Sequence, residues 1–229
     1  MNALGACVGA ELLKIFKSKI LLITGLAFVL FTPIMIIGSG FSPSQALYVE
    51  GSFCFSILAA WMFGREFVQK TVTELLVFPA ARSTIVFAKI IALTISVLML
   101  SIGQFVLSWV LTLVTGMGGW ALEPVMHDLA RQGILTVMLL ALCMPIFFLG
   151  ICSRGYFMPV AVSIAAILYV NINGSSLPFA IDIPWSIPIV YTMRDDLATI
   201  RPLDIVVLVS VGLGSILASL AWWLYADYS

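Results

Sequence analysis

Charge is scarce in this chain. Of its 229 residues only 10% are charged while 62% are hydrophobic, and the mean hydropathy is +1.16. A soluble domain is about a quarter charged, so a soluble fold is excluded and a polytopic membrane protein is expected. No stretch outside the apolar runs is long enough to bury a core of its own, so residues 1–229 read as one transmembrane domain. Excess charge of either sign is also missing, with 11 basic and 11 acidic residues. No basic stripe exists, which argues against nucleic acid as a partner. Histidine occurs once, at His127, and the four cysteines (Cys7, Cys54, Cys143, Cys152) form no CxxC pair. Neither a metal site nor a disulfide framework is expected, and the cysteines read as small apolar residues. GxxxxGK(S/T), HExxH and GxSxG are all missing, so the chain is not expected to hydrolyse ATP or to be an enzyme itself. No catalytic residue, metal or cofactor is assigned. The first apolar run begins only near Ile20 and no small-residue cleavage site follows it, so no cleavable signal peptide is expected.

The apolar runs predict an all-α membrane protein with six spans, at about 20–37, 46–63, 84–115, 130–152, 156–173 and 203–225. Residues 7–19, with Glu11, Lys14, Lys17 and Lys19 among Leu12, Leu13, Ile15 and Phe16, read as an interfacial helix feeding the first span. The third run is longer than the roughly 20 residues a bilayer needs, so it is expected to tilt or to protrude at its Lys89 end. Between the fifth and sixth runs lies an apolar stretch broken by Pro178, Pro184 and Pro188. It reads as a re-entrant hairpin dipping into the membrane from outside, sheltered by protein.

Lysine and arginine set the orientation. With the N-terminus in the cytoplasm, Lys14, Lys17, Lys19, Arg65, Lys70, Arg82, Lys89 and Arg154 fall inside, and only Arg131, Arg194 and Arg201 outside. Both termini are therefore expected inside, with Trp61, Trp222 and Trp223 at the inner interface and Trp109, Trp120 and Trp185 at the outer one. Ionisable groups are nearly absent from the spans. Glu50 alone comes close, near one end, whereas proton-coupled transporters usually place such groups at mid-membrane. Gln104, Asn171 and Asn173 are the main polar groups at depth and are expected to bond between helices.

The densest charged segment runs from Gly64 to Arg82. Arg65, Glu66, Lys70, Glu74 and Arg82 share it with Phe67, Val68, Val72, Leu75 and Leu76, which recur at helical spacing. Pro79 lacks an N–H and stops a helix. The pattern predicts a short amphipathic helix over about 65–78, too polar to cross a bilayer and fit to lie at its surface or dock into another protein.

An acid, a Thr, a Glu, Leu-Leu, Pro, a basic residue and a Lys opening the third span, here Glu66, Thr71, Glu74, Leu75-Leu76, Pro79, Arg82 and Lys89, resemble the permease subunits of type-2 ABC exporters. Lys70 stands where that family shows Gly, a substitution that bears on the local backbone turn. The six-span layout agrees across the whole chain. The resemblance implies that the 65–78 helix is a coupling helix seated in a groove of a separate ATP-binding subunit. Arg65, Glu66, Val68, Lys70, Thr71, Val72, Glu74, Leu75, Leu76, Pro79 and Arg82 would form that interface. It further implies a second permease, the same chain or a related one. The path would lie on their seam, with Phe53, Phe55 and Asn171 as candidate lining residues. A charge-free seam suits a hydrophobic or amphipathic cargo, such as a peptide, an antibiotic or a lipid, in a bacterial plasma membrane. Two rival readings exist. One is a membrane-embedded lipid-modifying enzyme using Glu123, His127, Asp128 and Arg131; the other is a channel or sensor subunit without active transport.

Overall fold

The computed structural model describes residues 3–72, 81–116, 122–173, 183–193 and 201–225. Those residues form helices only: α1 (Ala3–Lys17), α2 (Ile20–Pro33), α3 (Pro43–Val68), α4 (Arg82–Val114), α5 (Leu122–Cys152), α6 (Phe157–Asn173), α7 (Ser186–Met193) and α8 (Pro202–Tyr225). Five helical segments are long and apolar enough to cross a membrane: α2 with its continuation to Gly38, α3, α4, α5 and α8. The 17-residue α6 is apolar but shorter, about 25 Å against a hydrocarbon core of about 30 Å. The chain is thus an all-helical, multi-pass membrane protein.

Helix α3 is the centre of the bundle. It packs most extensively on α5 and also touches α2, α4, α6 and α7. Being covered on every side, it carries small residues where neighbours come close. A Cβ added at Gly51 would sit 3.1 Å from Leu139, and Gly150 of α5 faces the Ala60 carbonyl. Small contact residues let helix backbones approach where no hydrophobic drive separates helix from lipid. The outer faces of α2 and α8 run opposite: Leu22, Leu26, Val29 and Leu30, and Val206, Val209, Leu213 and Leu217, are all exposed, as lipid-facing positions should be.

Local rules set the ends of these helices. Ser42 caps α3 in a capping box with Gln45, each bonding the other's backbone N–H, and Pro43 fills the first helical position. Replacing Ser42 with Ala is expected to lower stability by about 1 kcal/mol, read by reversible unfolding in mixed micelles. At the other end of α3 the Lys70 N–H donates to the Phe67 carbonyl (3.2 Å) and the Thr71 N–H to the Glu66 carbonyl (3.0 Å). Those bonds define a Schellman motif with Lys70 at the left-handed position, φ 56°. Glycine is preferred there, and a side chain costs roughly 1–2 kcal/mol. The resemblance implied a Gly at this position; Lys70 adopts the left-handed turn that a Gly would suit. Lys19, between α1 and α2, and Arg154, between α5 and α6, are also left-handed.

Several expectations change. The second span and the amphipathic segment do not part at Gly64: α3 continues to Val68, so Arg65 and Glu66 belong to its last turn. Gly64 is small for a different reason. A Cβ there would lie 2.6 to 2.8 Å from the backbone and Cβ of Tyr156, so the glycine seats the α5–α6 turn on α3. The first span ends in a π-helical turn, Ile34–Gly38, just after Pro33, because proline removes a helical hydrogen bond and the following turn widens to compensate. Lys89 does not protrude; it is fully buried in the second turn of α4. Trp223 is likewise fully buried, its ring centroid 5.0 Å from that of Phe63, and forms no interfacial belt, whereas Trp222 is exposed. Residues 73–80, with the last six positions of the expected coupling helix (73–78), lie outside the described residues, as do 174–182 and 194–200 of the expected hairpin. The described part of that region is the 183–193 stretch, whose helix α7 has Ser186 to Ile189, Tyr191 and Thr192 buried against α3 and α5.

Candidate functional site

Four charges that the sequence scatters over almost eighty positions meet at one end of the bundle. Glu11 comes from α1, Lys14 from the next turn of α1, Glu66 from the last turn of α3 and Lys89 from the second turn of α4. Lys89 Nζ donates to Glu11 Oε2 (2.9 Å), to Glu66 Oε1 (3.1 Å) and to the Met62 carbonyl (3.1 Å). Lys14 Nζ donates to Glu11 Oε1 (2.9 Å) and to Glu66 Oε1 (3.0 Å). The Thr71 hydroxyl donates to the remaining oxygen, Glu66 Oε2. Lys89 also lies 5.1 Å from the centroid of the Phe63 ring.

The arrangement answers the cost of burying charge. An unpaired ion in a low-dielectric interior is very unfavourable, and Lys89, Glu66 and Glu11 are all buried. Two acids and two bases make the group neutral, and every carboxylate oxygen has a donor. At Lys14 burial works against the ammonium, but Glu11 and Glu66 outweigh it, and the pKa is raised above 10.5. A raised lysine value contributes stability below the unfolded pKa and loses it only as pH climbs through the folded one. Lys14 therefore stays charged throughout the neutral range.

Chemically this is a joint rather than a reaction centre. It ties α1 to the end of α3 and the start of α4 with directional, charge-assisted bonds. Arg65 adds a link, stacking 4.9 Å above Trp61, donating to Gln69 Oε1 (2.8 Å) and reaching the Lys14 carbonyl (3.5 Å). Beside the cluster opens a cleft of about 350 Å³, floored by Ala6, Ala10 and Ala88 and walled by Lys14, Arg65 and Thr71. At the same end Arg82 donates to the Leu224 carbonyl (3.3 Å), joining α4 to α8.

The sequence-predicted residues divide accordingly. Glu66 faces inward and sets the geometry of its own bundle, while Val68 and Lys70 are exposed and Val72 is buried. Arg65 and Thr71 line the cleft. Glu74, Leu75, Leu76 and Pro79 lie outside the described residues. Of the suggested path residues, Phe55 is a core residue, fully buried against Phe28 with centroids 6.0 Å apart. Phe53 is half-buried and Asn171 exposed, its amide donating to the Ile167 carbonyl of its own helix (2.8 Å). Gln104 does bond across helices, accepting from Gln132 Nε2, with Ser101 and Thr136 paired one turn away.

The other polar group lies at the opposite end of α5. His127 and Asp128 are exposed side chains 3.8 Å apart, while Arg131 turns to the Thr192 carbonyl (2.8 Å). The side chain of Glu123 lies outside the described residues. Among the described residues no group of three His, Cys, Asp or Glu could hold a metal ion. Sequence reasoning missed the partnership of Glu11, Lys14 and Lys89 with Glu66. The available signal was that Glu11, Lys14 and Lys89 each stand between apolar neighbours.

The described helices thus define a multi-pass membrane protein with a charge joint at one end. Residues 7–171 match the family described as ABC-2 family transporter protein, and the chain belongs to that family. It is also similar to the bacitracin transport permease protein BCRB of Bacillus licheniformis, 26% identical over 137 residues, which is 58% of this chain and 63% of that protein.

Proposed function

We propose that this chain is the membrane-spanning subunit of an ATP-driven exporter, powered by a separate ATP-binding subunit that docks on the segment from Arg65 to Arg82. The observation that carries this reading is the ion joint. The segment begins at Glu66 and Thr71, both tied into the Glu11–Lys14–Lys89 cluster, and ends at Arg82, the first residue of α4. A push on the segment would therefore be passed to α1, α3 and α4 together instead of being absorbed at a loose hinge. Exposed Val68 and the sequence positions Leu75 and Leu76 would give the apolar grip, and Glu74 and Arg82 the register.

In this reading α6 completes six crossings, its short length met by tilt of its neighbours or local thinning of the bilayer. Both termini face the cytoplasm of a bacterial cell, and a second permease completes the path. The cargo is hydrophobic or amphipathic. An amphipathic peptide antibiotic is a natural candidate, because the relative is named for bacitracin transport and the spans offer almost no charge.

Co-purification with ATP-binding subunits encoded beside this chain tests the proposal. Wild type is expected to hold such a subunit, and the double change Leu75→Asp/Leu76→Asp to release it while the permease stays folded in detergent. Retention of the subunit by the double variant, or no subunit held by wild type, would overturn the docking role.

A further inference from the structure

Three non-glycine residues in the described structure adopt a left-handed backbone, and all three are cations: Lys19, Lys70 and Arg154. All three are exposed. Each follows the end of a helix, where glycine would serve the backbone better. All lie at one end of the bundle. The Glu66–Lys89–Glu11 bonds place the ends of α1 and α3 beside the start of α4, and the Gly64–Tyr156 contact places the α5–α6 turn there too.

Their depth is set by the spans. Lys19 immediately precedes Ile20 of α2, Lys70 follows Val68 of α3 by two positions, and Arg154 lies between Cys152 of α5 and Phe157 of α6. That is the level of lipid headgroups. Exposed Lys17 and Arg82 lie at the same end, whereas the described acids there, Glu11 and Glu66, are buried in the ion joint. The exposed charge of the described residues at this end is thus wholly positive. Tyr156 and Phe157, beside Arg154, are strongly exposed aromatics of the kind that settle at a membrane interface.

We infer that Lys19, Lys70 and Arg154 form an anchoring surface for anionic phospholipid headgroups of the adjoining leaflet. A helix C-terminus carries partial negative charge that welcomes a cation, but glycine could make each turn, so the helix end does not by itself account for three cations. The inference requires only that the chain spans a membrane and does not depend on the ATP-binding subunit.

The test uses the full-length chain in mild detergent with phosphatidylglycerol and phosphatidylcholine in competition, the retained lipid being counted by native mass spectrometry. Wild type should prefer phosphatidylglycerol, and less so as salt rises. The triple variant K19G/K70G/R154G suits every backbone turn while removing the charges. Its preference should fall about fivefold per cation, about a hundredfold in all. The charge-keeping variant K19R/K70R/R154K should retain the preference. Should the triple glycine variant fail to fold in phosphatidylcholine, K19G is compared with K19R, with the fivefold difference expected. An unchanged preference after charge removal overturns the inference, as does equal loss in the charge-keeping variant. So does loss of the ATP-binding subunit with lipid preference intact, which would assign these cations to an acidic protein surface.

Discussion

Replacing Lys89 with Met should cost about 3–5 kcal/mol, because it leaves a buried acid without its counter-ion. Met is close to Lys in volume and linear, so packing against Phe63 is nearly kept. What is lost is the ammonium that serves Glu11, Glu66 and the Met62 carbonyl together. Lys14 alone then faces two carboxylates, and the site carries one excess negative charge. The companion variant Lys89→Met/Glu11→Gln restores neutrality, with Lys14 and Glu66 still paired at 3.0 Å. It should recover most of the stability. Reversible unfolding in mixed micelles, run as a double-mutant cycle, measures both. Equal losses in the single and double variants would show that charge balance is not what holds the joint. On the proposed docking role, Lys89→Met in vesicles containing the permease and its ATP-binding subunit should also lower transport more than ATP hydrolysis.

The second large effect falls on Gly64. An alanine there would place its Cβ 2.6 to 2.8 Å from Tyr156 Cβ, N and Cα. Two of those atoms are backbone, so no rotamer change relieves the overlap and the α5–α6 turn must move off α3. Overpacking of this kind costs up to about 3 kcal/mol. Gly133→Ala is the control. Its added Cβ meets nothing within 4 Å inside helix α5, and removing a helical glycine should stabilise by about 0.5–1 kcal/mol. A thermal scan of both in the same detergent should give shifts of opposite sign. Matching shifts would mean that the close contact at Gly64 is not what limits that site.

Much of the molecule is legible from its residues. Long uncharged runs with a helical period have one outcome in lipid, where each backbone N–H and C=O must be satisfied within its own segment. Five crossing helices therefore lie where the apolar runs place them, to within a few residues. The charged stretch from Gly64 to Arg82 marks the end of the bundle where the ion joint forms. Gln104 was expected to bond between helices, and it does.

Other features depend on distance in space. Gly64 looks like a chain break in the sequence because glycine breaks helices; its true constraint is Tyr156, ninety-two positions away. Phe55 looks like a candidate path residue until Phe28 is seen against it. Above all, Glu11, Lys14, Glu66 and Lys89 each look like a surface charge next to a span. One-dimensional patterning decides which segments enter the membrane, because that is a solvation question answered segment by segment. Which charges may stay buried is a pairing question, and only the packing of α1, α3 and α4 brings their partners within 3.1 Å.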